Sequence, residues 1–86
     1  MIDALIGNTP LVRMNRSIYA KFEAYNPSGS VKDRMAFYIV KKAEQRDELR
    51  PGNTIVEATS GNTGIAMAMV GAYRGYKVII IMPRNM

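Results

Sequence analysis

Cysteine and histidine are both missing from this chain of 86 residues. The first absence rules out a disulfide framework, a thiolate nucleophile and a sulfur-ligated metal within these residues. The second removes serine-histidine-aspartate triads, the usual zinc sites and the commonest general base. Lys, Asp, Glu, Ser, Thr and Tyr are left to carry any chemistry, and lysine is the natural candidate. Long apolar runs are lacking too, since none approaches the ~20 residues of a membrane span, so no membrane partner is expected. The opening holds Asp3 and no basic segment leading an apolar one, so it does not read as a signal peptide, and a cytoplasmic location is the default expectation.

What is present is the composition of a soluble globular protein, 48% hydrophobic and 22% charged. A chain of this length forms one domain at most and buries about 60–65% of its unfolded surface, which leaves no room for a complete two-domain active site. The formal charge of +5 invites an acidic partner such as nucleic acid. However, the basic residues are spread from Arg13 to Arg84 without a cluster or an accompanying aromatic surface, so nucleic-acid binding is not expected. Part of the excess suits an anionic cofactor.

Taken in order, residues 1–6 form a short apolar lead, and Gly7-Asn8-Thr9-Pro10 is turn chemistry. An extended run over 11–14, a turn at Asn15-Arg16-Ser17 and a half-buried strand over 18–25 are able to pair as a hairpin. From Val31 the apolar positions Val31, Met35, Ile39 and Ala43 predict a helix of about four turns over 31–45, stopped by Pro51-Gly52-Asn53. Lys41, Lys42, Glu44 and Gln45 supply its wet face. A strand at 54–57, a small-residue helix over 65–74 and a continuous apolar strand at 77–82 then make a βαβ unit with a parallel sheet covered on both faces. Met35, Met67 and Met69 read as core filling. The fold class is α/β.

Two stretches stand out chemically. In Asn26-Pro27-Ser28-Gly29-Ser30-Val31-Lys32-Asp33-Arg34, Pro27 and Gly29 make a loop, Ser28 or Ser30 can cap a helix, and Lys32 falls in its first turn. The positive end of a helix is a poor place for a cation, and partial burial would act the same way, favouring an amine usable as a nucleophile toward an aldehyde. The same spacing also suits an ordinary solvated lysine paired with Asp33 or Glu23. Glu57-Ala58-Thr59-Ser60-Gly61-Asn62-Thr63-Gly64 ends a strand and opens a helix, where backbone N–H groups and the hydroxyls of Thr59, Ser60 and Thr63 suit a carboxylate or phosphate. Equally, Ser60 or Asn62 would serve as a simple helix cap there.

These stretches, with Ile6-Gly7-Asn8-Thr9-Pro10-Leu11-Val12 before them, resemble in order the opening, the lysine loop and the substrate loop of the cysteine synthase and cystathionine β-synthase family of pyridoxal-phosphate enzymes. The resemblance covers nearly the whole chain but only about the first third of a family member. It implies fold type II: a partial doubly wound parallel sheet with an N-terminal hairpin, a helix and one βαβ unit. Residues 1–25 would join the larger domain and residues 26–86 begin the smaller one. It also implies pyridoxal 5'-phosphate as cofactor, with Lys32 as the lysine that holds it, Asn62 bonding its ring 3'-oxygen, and Thr59, Ser60 and Thr63 holding the substrate's α-carboxylate. Threonine at position 63, where related dehydratases usually have histidine, leans toward the sulfhydrylase and cystathionine β-synthase branch. The phosphate-gripping loop and the serine facing the pyridine nitrogen lie beyond position 86 in the family. The implied reaction is β-replacement on an O-acetyl- or O-phosphoserine by sulfide, in a homodimeric enzyme. A cystathionine β-synthase-type enzyme and an inactive binding or regulatory fragment are the alternatives, and for the 86 residues alone neither activity nor a firmly held cofactor is expected.

Overall fold

The computed structural model describes residues 2–59 and 61–84. The chain begins with one helical turn, α1 (Ile2–Leu5), where the sequence suggested only an apolar lead. Strands β1 (Leu11–Arg13) and β2 (Tyr19–Lys21) pair antiparallel, with Leu11 opposite Lys21 and Arg13 opposite Tyr19. Their turn is shaped by Asn15, whose side-chain oxygen accepts the N–H groups of Ser17 (2.9 Å) and Ile18 (3.0 Å). The hairpin is therefore as expected, but its second strand is not. Instead of continuing half-buried to residue 25, the strand stops at Lys21, its residues are exposed, and Glu23–Tyr25 winds into a 3-10 turn. Asn26 causes this: its backbone N–H (3.1 Å) and its side-chain amide (2.8 Å) both donate to the Glu23 carbonyl, which pulls the chain out of extension.

Helix α2 spans Lys32–Gln45 and helix α3 spans Asn62–Tyr73. Between and after them, β3 (Thr54–Ala58) and β4 (Lys77–Ile81) pair parallel, in register from Thr54 opposite Lys77 to Ala58 opposite Ile81. The small-residue character of α3 has a packing reason. A Cβ on Gly71 would stand 2.4 Å from Val78 Cγ2, and one on Gly64 would stand 2.9 Å from Thr59 Cγ2, so the helix lies nearly against the strands. The buried core is Ala36 and Val40 of α2, Ala66, Met67 and Val70 of α3, and Tyr76.

The buried line of α2 is Asp33, Ala36 and Val40, not the expected Val31, Met35 and Ile39, which are exposed at 46%, 36% and 47%. A strict four-residue step drifts about 40° per turn around a helix of 3.6 residues per turn, whereas steps of three and four keep to one face. Small Ala36 and Val40 also let α2 approach α3 closely. Of the three methionines expected in the core, Met67 is buried and Met69 packs against it, while Met35 lies outside.

The sheet also differs from its reading. Ile55, Glu57, Val78 and Ile80 are half-buried, but Val56, Ile79 and Ile81 on the opposite face are exposed, because α3 packs on one side of the sheet only and α2 packs on α3. The result is a slab of 50 × 35 × 19 Å. Its radius of gyration, 14.8 Å, exceeds the value of about 12 Å expected for a compact chain of this length.

Candidate active site

The two helices run in the same direction. At the far end of the slab Arg74, which closes α3, donates to Glu44 of α2 (Nη2 to Oε1, 2.6 Å) and to Asp3 of α1 (Nη1 to Oδ2, 2.8 Å). The Tyr76 hydroxyl donates to the other Glu44 oxygen (2.7 Å). The Arg74 bonds hold the Glu44 carboxyl below its ordinary range, and the bond to Glu44 raises the Tyr76 phenol. Lys32 and Asn62 lie equally far upstream of Glu44 and Arg74, about 18 Å along each axis at 1.5 Å per residue. Both helix starts therefore share the end of the slab at which β3 finishes.

At that end Lys32 is the first residue of α2. Its backbone N–H donates to the Ser30 hydroxyl (3.2 Å), but the cap residue of the helix is Val31, which makes no side-chain cap bond, in place of the expected Ser28 or Ser30. The side chain is exposed, contrary to the expected partial burial. The partners that an ordinary surface lysine would take are engaged elsewhere. Asp33, fully buried, accepts the Ser28 N–H (2.8 Å) and the Ser28 hydroxyl. Glu23 accepts Arg34 Nε (2.8 Å) and Nη2 (3.2 Å). Among the described residues Lys32 Nζ has no hydrogen-bond or ion-pair partner.

The second stretch arrives at the end of β3. Thr59 is half-buried and its N–H donates to the Ile81 carbonyl (2.9 Å), extending the strand pairing by one residue. Gly61 (φ +85°) turns the chain into α3, whose first residue is the exposed Asn62, followed by the half-buried Thr63. Ser60 lies outside the described residues. The first amides of a helix have no intrahelical acceptor, so this end of α3 suits an anion. An open cleft of about 460 Å³ adjoins the loop, lined by Ala58, Thr59, Ile81, Met82 and Pro83.

A polar cluster that the sequence did not reveal ties the chain's opening to the lysine loop. Thr9, almost fully buried, donates through its hydroxyl to Glu23 Oε2 (2.6 Å) and accepts Arg34 Nη2 (3.1 Å). Asn26, equally buried, accepts the Gly7 N–H (2.7 Å) and donates to Glu23 Oε1 (3.0 Å). The Arg34 and Thr9 bonds, with a smaller one from Asn26, outweigh burial and hold the Glu23 carboxyl at about 2. Neither Glu23 nor Thr9 carries a periodic signal. The one clue was that Thr9, Asn26 and Arg34 all fall inside the stretches that carry the resemblance.

Residues 2–86 match the family model of the pyridoxal-phosphate dependent enzymes. Cysteine synthase B of Pseudomonas aeruginosa is 54% identical over 87 residues, covering 93% of this chain and 29% of that protein. Cystathionine beta-synthase of Apis mellifera is 52% identical over 90 residues, covering 94% of this chain and 18% of that one. Among solved structures, O-acetylserine sulfhydrylase isoform 3 of Entamoeba histolytica superposes with a TM-score of 0.91 at 44% identity, over 100% of this chain and 29% of that one. The chain thus spans less than a third of the length of these relatives. With a matched family model over nearly every residue and the same fold of helix, hairpin and parallel βαβ unit, the chain belongs to the pyridoxal-phosphate-dependent enzymes.

Proposed function

We propose that this chain supplies the lysine and the substrate loop of a cysteine synthase, which replaces the β-substituent of an activated serine by sulfide. One observation carries the reading: Lys32, whose amine has no partner among the described residues, at the start of α2, and Thr59 with the Asn62 and Thr63 start of α3, share one end of two parallel helices. These residues fit pyridoxal 5'-phosphate. Lys32 offers an amine for its aldehyde, Asn62 an amide for its ring oxygen, and Thr59, Ser60 and Thr63 hydroxyls for the substrate's α-carboxylate. When bound, the cofactor supplies an electron sink for the substrate's α-carbon. Lys32 Nζ, released when the substrate's own amine takes its place, would then take the α-proton, while the loop and the amide end of α3 would hold the carboxylate in line. Acetate or a similar group leaves the β-carbon with its electron pair, and sulfide bonds there in its place.

In this reading residues 1–25 join the sheet of a larger domain and residues 26–86 begin the smaller one. Homodimeric assembly and a cytoplasmic location belong to it as well, on the family resemblance alone. The Apis mellifera relative favours a second reading, a cystathionine β-synthase-type enzyme with the same residues and an amino-acid thiol as nucleophile. The decisive experiment adds pyridoxal phosphate to the whole protein, reduces with borohydride and maps the modified lysine. Modification at Lys32 is expected, and modification of a different lysine overturns the assignment. Incubation with O-acetylserine and sulfide or a thiol separates the two readings by the product formed, and binding without any product would leave the chain in a regulatory role.

A further inference from the structure

The lysine loop is closed by the residues next to the lysine, while the lysine's own amine has no bonding partner among the described residues. Asp33 points back across the loop and takes two hydrogen bonds from Ser28, one from the N–H at 2.8 Å and one from the hydroxyl. Within that clasp the chain turns through Gly29 (φ +93°), whose N–H donates to the Asn26 carbonyl (2.8 Å). Asp33 has no exposed surface and no cation among its described partners, so its charge is balanced by these bonds and by the positive start of α2. A buried carboxylate is costly to keep unless it is fully bonded. Its placement one residue after Lys32 fixes the first turn of α2 against the loop.

We propose that Asp33 is a positioning residue for Lys32: by clasping Ser28 it sets the direction in which the lysine leaves the helix, so that the ε-amine points along the open end of the slab instead of folding onto the loop. This rests on the proposed role of Lys32. The Ser28 hydroxyl supplies one of the two bonds and its backbone the other, so removing the hydroxyl weakens the clasp without emptying it.

The test uses the whole protein with pyridoxal phosphate added and follows two quantities besides activity: the rate at which the cofactor becomes reducible onto Lys32, and hydrogen exchange at the Ser28 and Gly29 amides. Ser28→Ala is expected to slow attachment by about ten- to a hundredfold, the range of one hydrogen bond to a charged group, and to speed exchange at those amides beyond what its fall in thermal midpoint accounts for. Asp33→Ala should slow it further, and Asp33→Asn, which keeps one acceptor oxygen, should restore part of the rate. Equal attachment rates in the parent, Ser28→Ala and Asp33→Asn proteins, with Lys32 still modified, overturn the positioning role and leave the role of Lys32 standing. So does a fall in thermal midpoint that accounts for the whole change in rate. A parent protein that is never modified at Lys32 overturns the reading of the site and the positioning role together.

Discussion

At the scale of single residues, the structure turns the question about Lys32 into one about its neighbours. The acids that would have neutralised it, Asp33 and Glu23, are committed to Ser28 and Arg34. Glu23 makes this commitment testable by pH. Its carboxyl is held at about 2 in the folded chain against an ordinary 4.5, so its contribution to stability is complete above 4.5 and fades as pH falls through about 2. Acid titrations of the whole protein and of its Glu23→Gln variant should therefore differ in stability near neutrality and converge below about pH 2; an unchanging gap across that window would contradict the bonds of Glu23 to Arg34 and Thr9. At the loop, Thr63→Ala in the whole protein should weaken substrate binding by about 1.5–3 kcal/mol, the loss of one hydrogen bond to a charged group, while cofactor content stays constant. Equilibrium binding of O-acetylserine beside cofactor absorbance measures both. Loss of cofactor with unaltered substrate affinity would exchange the roles given to Asn62 and Thr63.

At the scale of elements, the side-by-side packing of α2 and α3 is what brings the two site stretches together. It depends on close contact between α3 and the sheet, which Gly64 and Gly71 permit. Gly71→Ala would push a methyl group to 2.4 Å from Val78 Cγ2, so one side must move. Urea denaturation of the whole protein is expected to show a loss of about 1–3 kcal/mol, as for other overpacked cores. A combined Gly71→Ala and Val78→Ala chain should recover part of it, because the second change removes the very methyl that is met. No recovery would mean that α3 rests on the sheet less closely than the structure has it.

At the scale of the molecule, the slab has one finished face and one bare one. Val56, Ile79 and Ile81 stand exposed on the bare side of a two-stranded sheet, and the hairpin buries none of its strand residues. Apolar surface and open strand edges of this kind promote self-association. The eighty-six residues by themselves are expected to melt broadly, to bind apolar dyes, and to show no synthase activity. Replacing Val56 and Ile81 by lysine should raise their solubility in sedimentation experiments without altering the circular dichroism of the helices. A sharp, monomeric thermal transition in the unsubstituted chain, with cofactor bound stoichiometrically at Lys32, would show that the slab is complete as it stands.

What the sequence determined alone was local. The order of hairpin, long helix and parallel βαβ unit, the turns and the placing of Lys32 in the first turn of α2 all follow from residues within a turn or two of one another, where backbone preferences and capping act. The early end of β2 was hidden because one asparagine side chain, not strand propensity, decided it. Which face of α2 is buried, which acid Lys32 is denied, and the meeting of Arg74 with Asp3 were decided by tertiary structure. These choices join residues far apart along the chain. Hydrogen bonds and ion pairs of that kind depend on ångström-scale approach and leave no periodic trace in the sequence.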